Sequence, residues 1–170
     1  MISRLTHCCT TCLTILLAVP CMCCAMLTGA IAGFEDGRDA ASSILDYDFE
    51  EETVEIEFID EPPIAPVPGG ASEWSTWVVL ELGDVQATEF ERLMGSTDEW
   101  HRMPLPEELL ARSELLQPPE YLGGIQVQEK LPLSNANGYY LFEGAIENLR
   151  FHIAIYDPES RRIYVRAVSY

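Results

Sequence analysis

From Glu73 onward, apolar positions recur at the periods of regular structure. Val78, Leu80 and Leu82 alternate within Trp74–Leu82, which predicts a strand ended by Gly83-Asp84. Thr88-Glu-Phe-Glu91 has the spacing of a capping box. It predicts a short helix with Phe90, Leu93 and Met94 turned inward and Gly95 as its stop. Pro106, followed by Glu107 and Glu108, opens a second predicted helix. Leu105, Leu109, Leu110 and Leu116 supply its apolar side, and Pro118-Pro119 stops it.

The last third reads as strands. Ile125–Leu131 is one, and the turn pair Asn137-Gly138 precedes another over Tyr139–Ala145. Leu149, Phe151, Ile153 and Ile155 then alternate with Arg150, His152, Ala154 and Tyr156. After the turn Asp157-Pro158-Glu159-Ser160, Ile163, Val165 and Ala167 form a final strand with Tyr164, Arg166 and Val168 on its other face. Residues 73–170 are therefore predicted to be an α+β domain. It comprises a small antiparallel sheet of about four to five strands, with one or two short helices on one face.

Upstream the pattern changes. The stretch from Cys8 to Phe34 carries no charge, follows Arg4 and His7, and at 27 residues is long enough to span a bilayer as a helix. Residues 1–34 thus read as an export signal or a signal anchor. Ala30-Ile31-Ala32 fits a cleavage site that leaves Gly33 as the new N-terminus. Both readings hold Arg4 inside and carry the rest of the chain across a membrane. All six cysteines (Cys8, Cys9, Cys12, Cys21, Cys23, Cys24) lie in this segment, where they read as small apolar residues. Residues 25–170 hold no cysteine, which excludes disulfides and thiol catalysis there.

Residues 35–72 read as an acidic, then Pro/Gly-rich linker. Between 35 and 61 there are twelve carboxylates and one arginine, Arg38, a density that predicts a solvated spacer. No EF-hand spacing is present, so only weak divalent-cation binding is expected of it. Within the spacer, Thr53–Ile59 alternates. Val54, Ile56 and Phe58 would face inward on an edge strand, with Glu55 and Glu57 facing solvent or an arginine. The prolines and glycines from Pro62 to Gly70 predict an extended, semi-rigid spacer.

Charge and chemistry narrow function only by exclusion. A formal net charge of −18, with one lysine, disfavours nucleic acid and anionic lipid surfaces. No phosphate-cradling, dinucleotide, zinc-protease or nucleophile-elbow motif is present, so no cofactor or metal is expected. The histidines of the domain, His101 and His152, with Asp157 near the second, are the residues on which a small envelope hydrolase would depend. The competing expectation is a noncatalytic module. Its protein partner would meet an exposed sheet edge, the surface of Trp74, Trp77 or Trp100, or the arginines Arg150, Arg161, Arg162 and Arg166. Those four arginines, against Asp157 and Glu159, give residues 148–170 a local net of +2. This predicts that the basic hairpin docks the acidic segment near Glu50–Glu57, with Val54–Phe58 as an added strand. The resulting expectation is a membrane-anchored or secreted extracytoplasmic binding domain.

Overall fold

Long antiparallel pairings build the main sheet in the computed structural model, which describes residues 34–61 and 74–169. Residues 1–33, expected to be an export signal or anchor, and residues 62–73, with the expected Pro62–Gly70 spacer, lie outside the described residues. Strand β1 (Val54–Glu61) lies against β2 (Trp74–Glu81). β2 in turn pairs with the last strand of the chain along its whole length. Between them in sequence come β3 (His101–Arg102), β4 (Tyr121–Leu122), β5 (Ile125–Gln126), β6 (Tyr139–Ala145) and β7 (Arg150–Asp157), before the last strand β8 (Arg162–Ser169). The main sheet has six strands in the order β1-β2-β8-β7-β6-β3, every neighbour antiparallel. β4 and β5 form a separate hairpin. The fold is α+β with a large antiparallel sheet and few helices, larger than the four to five strands expected.

Both faces of that sheet are covered. Trp77-Val78-Val79-Leu80 and Ile153-Ala154-Ile155-Tyr156 are buried without interruption, the run expected of strands enclosed on two sides. One face carries helices α1 (Gly37–Leu45) and α2 (Asp84–Met94). Ala40 and Ala41 of α1 and Ala87, Phe90 and Met94 of α2 pack there on Val78, Leu80, Ala154, Tyr156, Ile163 and Val165. The other face carries residues 103–133, including the short helices α3 (Glu107–Leu110) and α4 (Ser113–Leu116). Met103, Leu105, Leu116, Leu122, Val127 and Leu131 from that layer meet Trp77, Val79, Ile153, Ile155 and Tyr164. The expectation of helices on one face only is therefore corrected. Alternation shows which residues point together, not how many layers arrive to cover them.

The acidic segment is not a free spacer. Gly33–Tyr170 form one compact unit, and α1 and β1 belong to it. Asp36 caps α1 by accepting from the Asp39 amide at 2.9 Å, which holds the Asp36 carboxyl below its ordinary value. Small residues let the helix come close: a Cβ on Gly37 would sit 3.0 Å from Val78 and 3.1 Å from Phe58. β1 is the edge strand the alternation predicts, and of its expected inward set Phe58 packs against the α1 side of the core while Val54 and Ile56 stay exposed. A bulge between Glu55 and Glu57 shifts the register. It leaves Val54 55% exposed and puts Ile59, 3% exposed, into the core.

Three polar clamps hold the irregular layer in place. The Glu57 carboxylate accepts from Trp77 Nε1 at 2.8 Å and from the Gln128 and Glu129 amides at 2.7 and 3.0 Å. Gln117 donates to the Leu131 carbonyl at 2.8 Å and accepts from its amide at 2.9 Å. Arg166 donates to the carbonyls of Leu115 and Gln117 and lies over the Phe151 ring. Where Ile125–Leu131 is expected to be one strand, only Ile125–Gln126 is, in the β4–β5 hairpin. Its backbone turns at Gly123 and Gly124, both at positive φ, and its later amides serve Glu57.

Four tyrosines are built into these layers. Burial, then the Glu91 carboxylate that the Tyr156 hydroxyl reaches at 3.1 Å, raises Tyr156 far above the ordinary value of 10.0. Burial raises Tyr47, Tyr140 and Tyr164 in the same direction. The folded chain thus keeps protons that the unfolded chain releases. Stability is full below about pH 10 and falls as pH rises above it. In an alkaline titration, the ultraviolet signal of these tyrosinates is expected to rise together with the loss of far-UV circular dichroism. Complete, reversible ionisation of every tyrosine with the dichroism unchanged would contradict this burial.

Candidate functional site

β3 is short because both of its ends are committed elsewhere. The chain reaches it through Trp100, buried with its ring 5.5 Å from Phe90 and nearly perpendicular to it. It leaves through Met103-Pro104, where the proline has no amide to donate. β3 therefore pairs only with Tyr139 and Tyr140, and Met103 adds one bond to the Gly138 carbonyl at 3.1 Å. β6 runs on through Leu141–Ala145, and among the described residues no strand lies beyond that stretch. Backbone groups alternate sides along a strand, so those of Phe142 and Gly144 follow Gly138 and Tyr140 and point away from β7.

The two faces flanking this open edge differ. On the side of the 103–133 layer is a cleft of about 310 Å³, where Leu109 and Arg112 face Phe142 and Gly144, with Glu108 and Glu147 also lining it. Arg112 is held by Glu147 at 2.5 Å. The Glu147 carboxyl lies below its ordinary value of 4.5 through its own backbone amide and then through Arg112. On the α1–α2 side stands Glu143, exposed, 3.6 Å from His152 across the β6–β7 pair. Arg150 lies beyond it, opposite Ala145.

The residues singled out from the sequence do not converge. His152 contacts a carboxylate, but it shares the sheet face of Ala154 and Tyr156, opposite the face that carries the cleft. His101 is exposed with its ring 5.3 Å from that of Tyr140. Asp157 organises its turn, accepting from the Glu159 amide at 3.2 Å and the Ser160 hydroxyl at 2.6 Å. Trp77 is fully buried and Trp100 nearly so, and neither offers a surface; Trp74 is half-buried at the start of β2.

The basic hairpin does not receive the acidic segment. β1 adds to β2, while Arg161 pairs with Asp84, Arg162 with Glu81 and Glu129, and Arg166 turns to carbonyls. Arg150 stays exposed. Those carboxylates stand nearer because α2 begins at Asp84 and β2 is in full register with β8. Among the described residues no cluster of three or more metal-ligating side chains occurs, and no helix is long and apolar enough to cross a membrane.

The residues of the β6 edge, Phe142, Glu143 and Gly144 with Leu109 across the cleft, were absent from the sequence candidates. A glycine inside an otherwise regular strand is the one local signal of an unusual edge, and Gly144 does take φ +106°. No family model, curated protein or solved structure matches this chain.

Proposed function

We propose that this chain is a noncatalytic, extracytoplasmic interaction module that receives an extended segment of a partner protein at the open edge of β6. The reading is carried by one observation: β6 is seven residues long, and β3 covers only its first two. An uncovered strand end with an adjoining cleft is the geometry used in strand addition, where main-chain bonds give affinity and alternate side-chain pockets give selectivity. The uncharged segment 8–34 would act as a transmembrane anchor or a cleaved signal, and the acidic charge keeps the exported unit soluble.

Site-specific photocrosslinking in the native membrane tests this reading. A photoreactive residue at Glu143 is expected to give a discrete adduct, and the same probe at the exposed Val85 of α2 to give none. Equal adducts from both positions, or none from either, would remove the β6 edge from consideration. N-terminal sequencing of membrane and soluble fractions distinguishes an anchor from a signal cut after Ala32.

A further inference from the structure

Resting on the reading of the β6 edge as a docking site, we propose that its occupant is an extended basic peptide. Apolar residues would enter the cleft, and arginine or lysine would alternate with them to face Glu143. The free stretch offers outward backbone groups at Phe142 and Gly144, so a strand of about five residues could add there. Its side chains must alternate between the two faces of the sheet. Those directed to the 103–133 side meet Leu109 and Phe142, both partly buried against the core, and an apolar side chain fills that space. Those directed to the other side meet Glu143, which is exposed and lies 3.6 Å from His152. A cation directly opposite Glu143 forms a favourable cross-strand pair, and an anion there is repelled.

Charge selects this occupant over the obvious competitor. A second copy of the chain, pairing symmetrically along Leu141–Ala145, would set Glu143 directly opposite its own counterpart. Each chain would also bring a net charge of −18. On the cleft side Arg112 is already taken by Glu147, and Glu108, which also lines the cleft, adds to the preference for a basic segment. Arg150, opposite Ala145, confines that preference to the part of the groove beside Glu143.

Three blocked peptides of about seven residues test the inference on the full chain in mild detergent. Each carries apolar residues at alternate positions, with arginine, glutamine or glutamate between them. The arginine peptide is expected to bind tightest and to shift the backbone amide resonances of Tyr140–Ala145. The substitution Glu143→Lys should weaken it about three- to tenfold and favour the glutamate peptide instead. Glu89→Lys on exposed α2 changes the net charge equally and should leave the order of affinities unchanged. Binding at the β6 edge without regard to peptide charge would overturn the basic occupant and leave the docking edge standing. Binding weakened equally by Glu143→Lys and Glu89→Lys, with scattered shifts, would show general attraction to an acidic protein and also overturn it. No shift at Tyr140–Ala145 with any peptide would overturn both readings.

Discussion

Replacing Phe90 with alanine is expected to lower unfolding stability by about 3–5 kcal/mol, the range for a fully buried aromatic whose cavity cannot close. Phe90 is 1% exposed and stands at the centre of the layer between α1, α2 and the sheet. Its ring centroid lies 4.8 Å from Tyr47, 6.1 Å from Phe49 and 5.5 Å from both Trp100 and Tyr156. Three of these contacts are edge-to-face, which adds to the area each ring buries. The partners come from three separate stretches of chain, so collapse around the hole would have to move the α1 connection, the entry into β3 and β7 together. Urea unfolding should show a lower midpoint at an unchanged slope. Because Trp100 anchors the entry into β3, its fluorescence should also report a looser environment before global unfolding. A loss under about 1 kcal/mol, with that fluorescence unchanged, would mean that Phe90 is not the centre of this layer.

The same cluster shows what the chain discloses locally. Phe90 and Met94 could be placed inward from helical spacing, and Gly95 does end α2. The helix start could not be placed so well. Thr88, read as a cap, lies inside α2 with its hydroxyl returned to the Asp84 carbonyl at 2.9 Å, because the helix begins at Asp84 after Gly83. The meander β6–β7–β8 was legible because alternation, Asn137-Gly138 and the Asp157–Ser160 turn agree with one another. Its double burial was present too, in the unbroken runs Trp77–Leu80 and Ile153–Tyr156, but a buried run does not say what lies on either side.

The acidic segment was misread for a physical reason. α1 buries mainly glycine and alanine, so hydropathy gives little sign of a packed helix, and twelve surrounding carboxylates suggest solvent. Asp36 followed three residues later by Asp39 was the available sign of a helix start. The candidate site was less legible still. An open edge is a mismatch between the lengths of β3 and β6, and that mismatch exists only once the two strands meet.

Glu57→Ala is expected to cost about 3 kcal/mol, because it removes one carboxylate from three donors supplied by distant parts of the chain. Trp77 is fully buried, so its indole N–H would be left without its acceptor in the core. The amides of Gln128 and Glu129, 71 and 72 residues away in sequence, would lose the group that ties their loop to the edge strand. Glu57→Gln should be milder, about 1–2 kcal/mol, since a single oxygen can still serve Trp77 and Glu129, which share Oε2. The amide end would then face the Gln128 N–H, donor against donor. Amide exchange separates this role from a general weakening. In Glu57→Ala, protection at Gln128 and Glu129 should fall much further than at Ile153–Ile155 in the centre of the sheet. In Glu57→Gln, Gln128 alone should show the larger loss. Uniform loss across all these amides would make Glu57 an ordinary contributor to stability. Unchanged protection at Gln128 and Glu129 would mean that the β1 edge and the 103–133 layer are held together by apolar contact at Ile59 and Trp77 without this carboxylate.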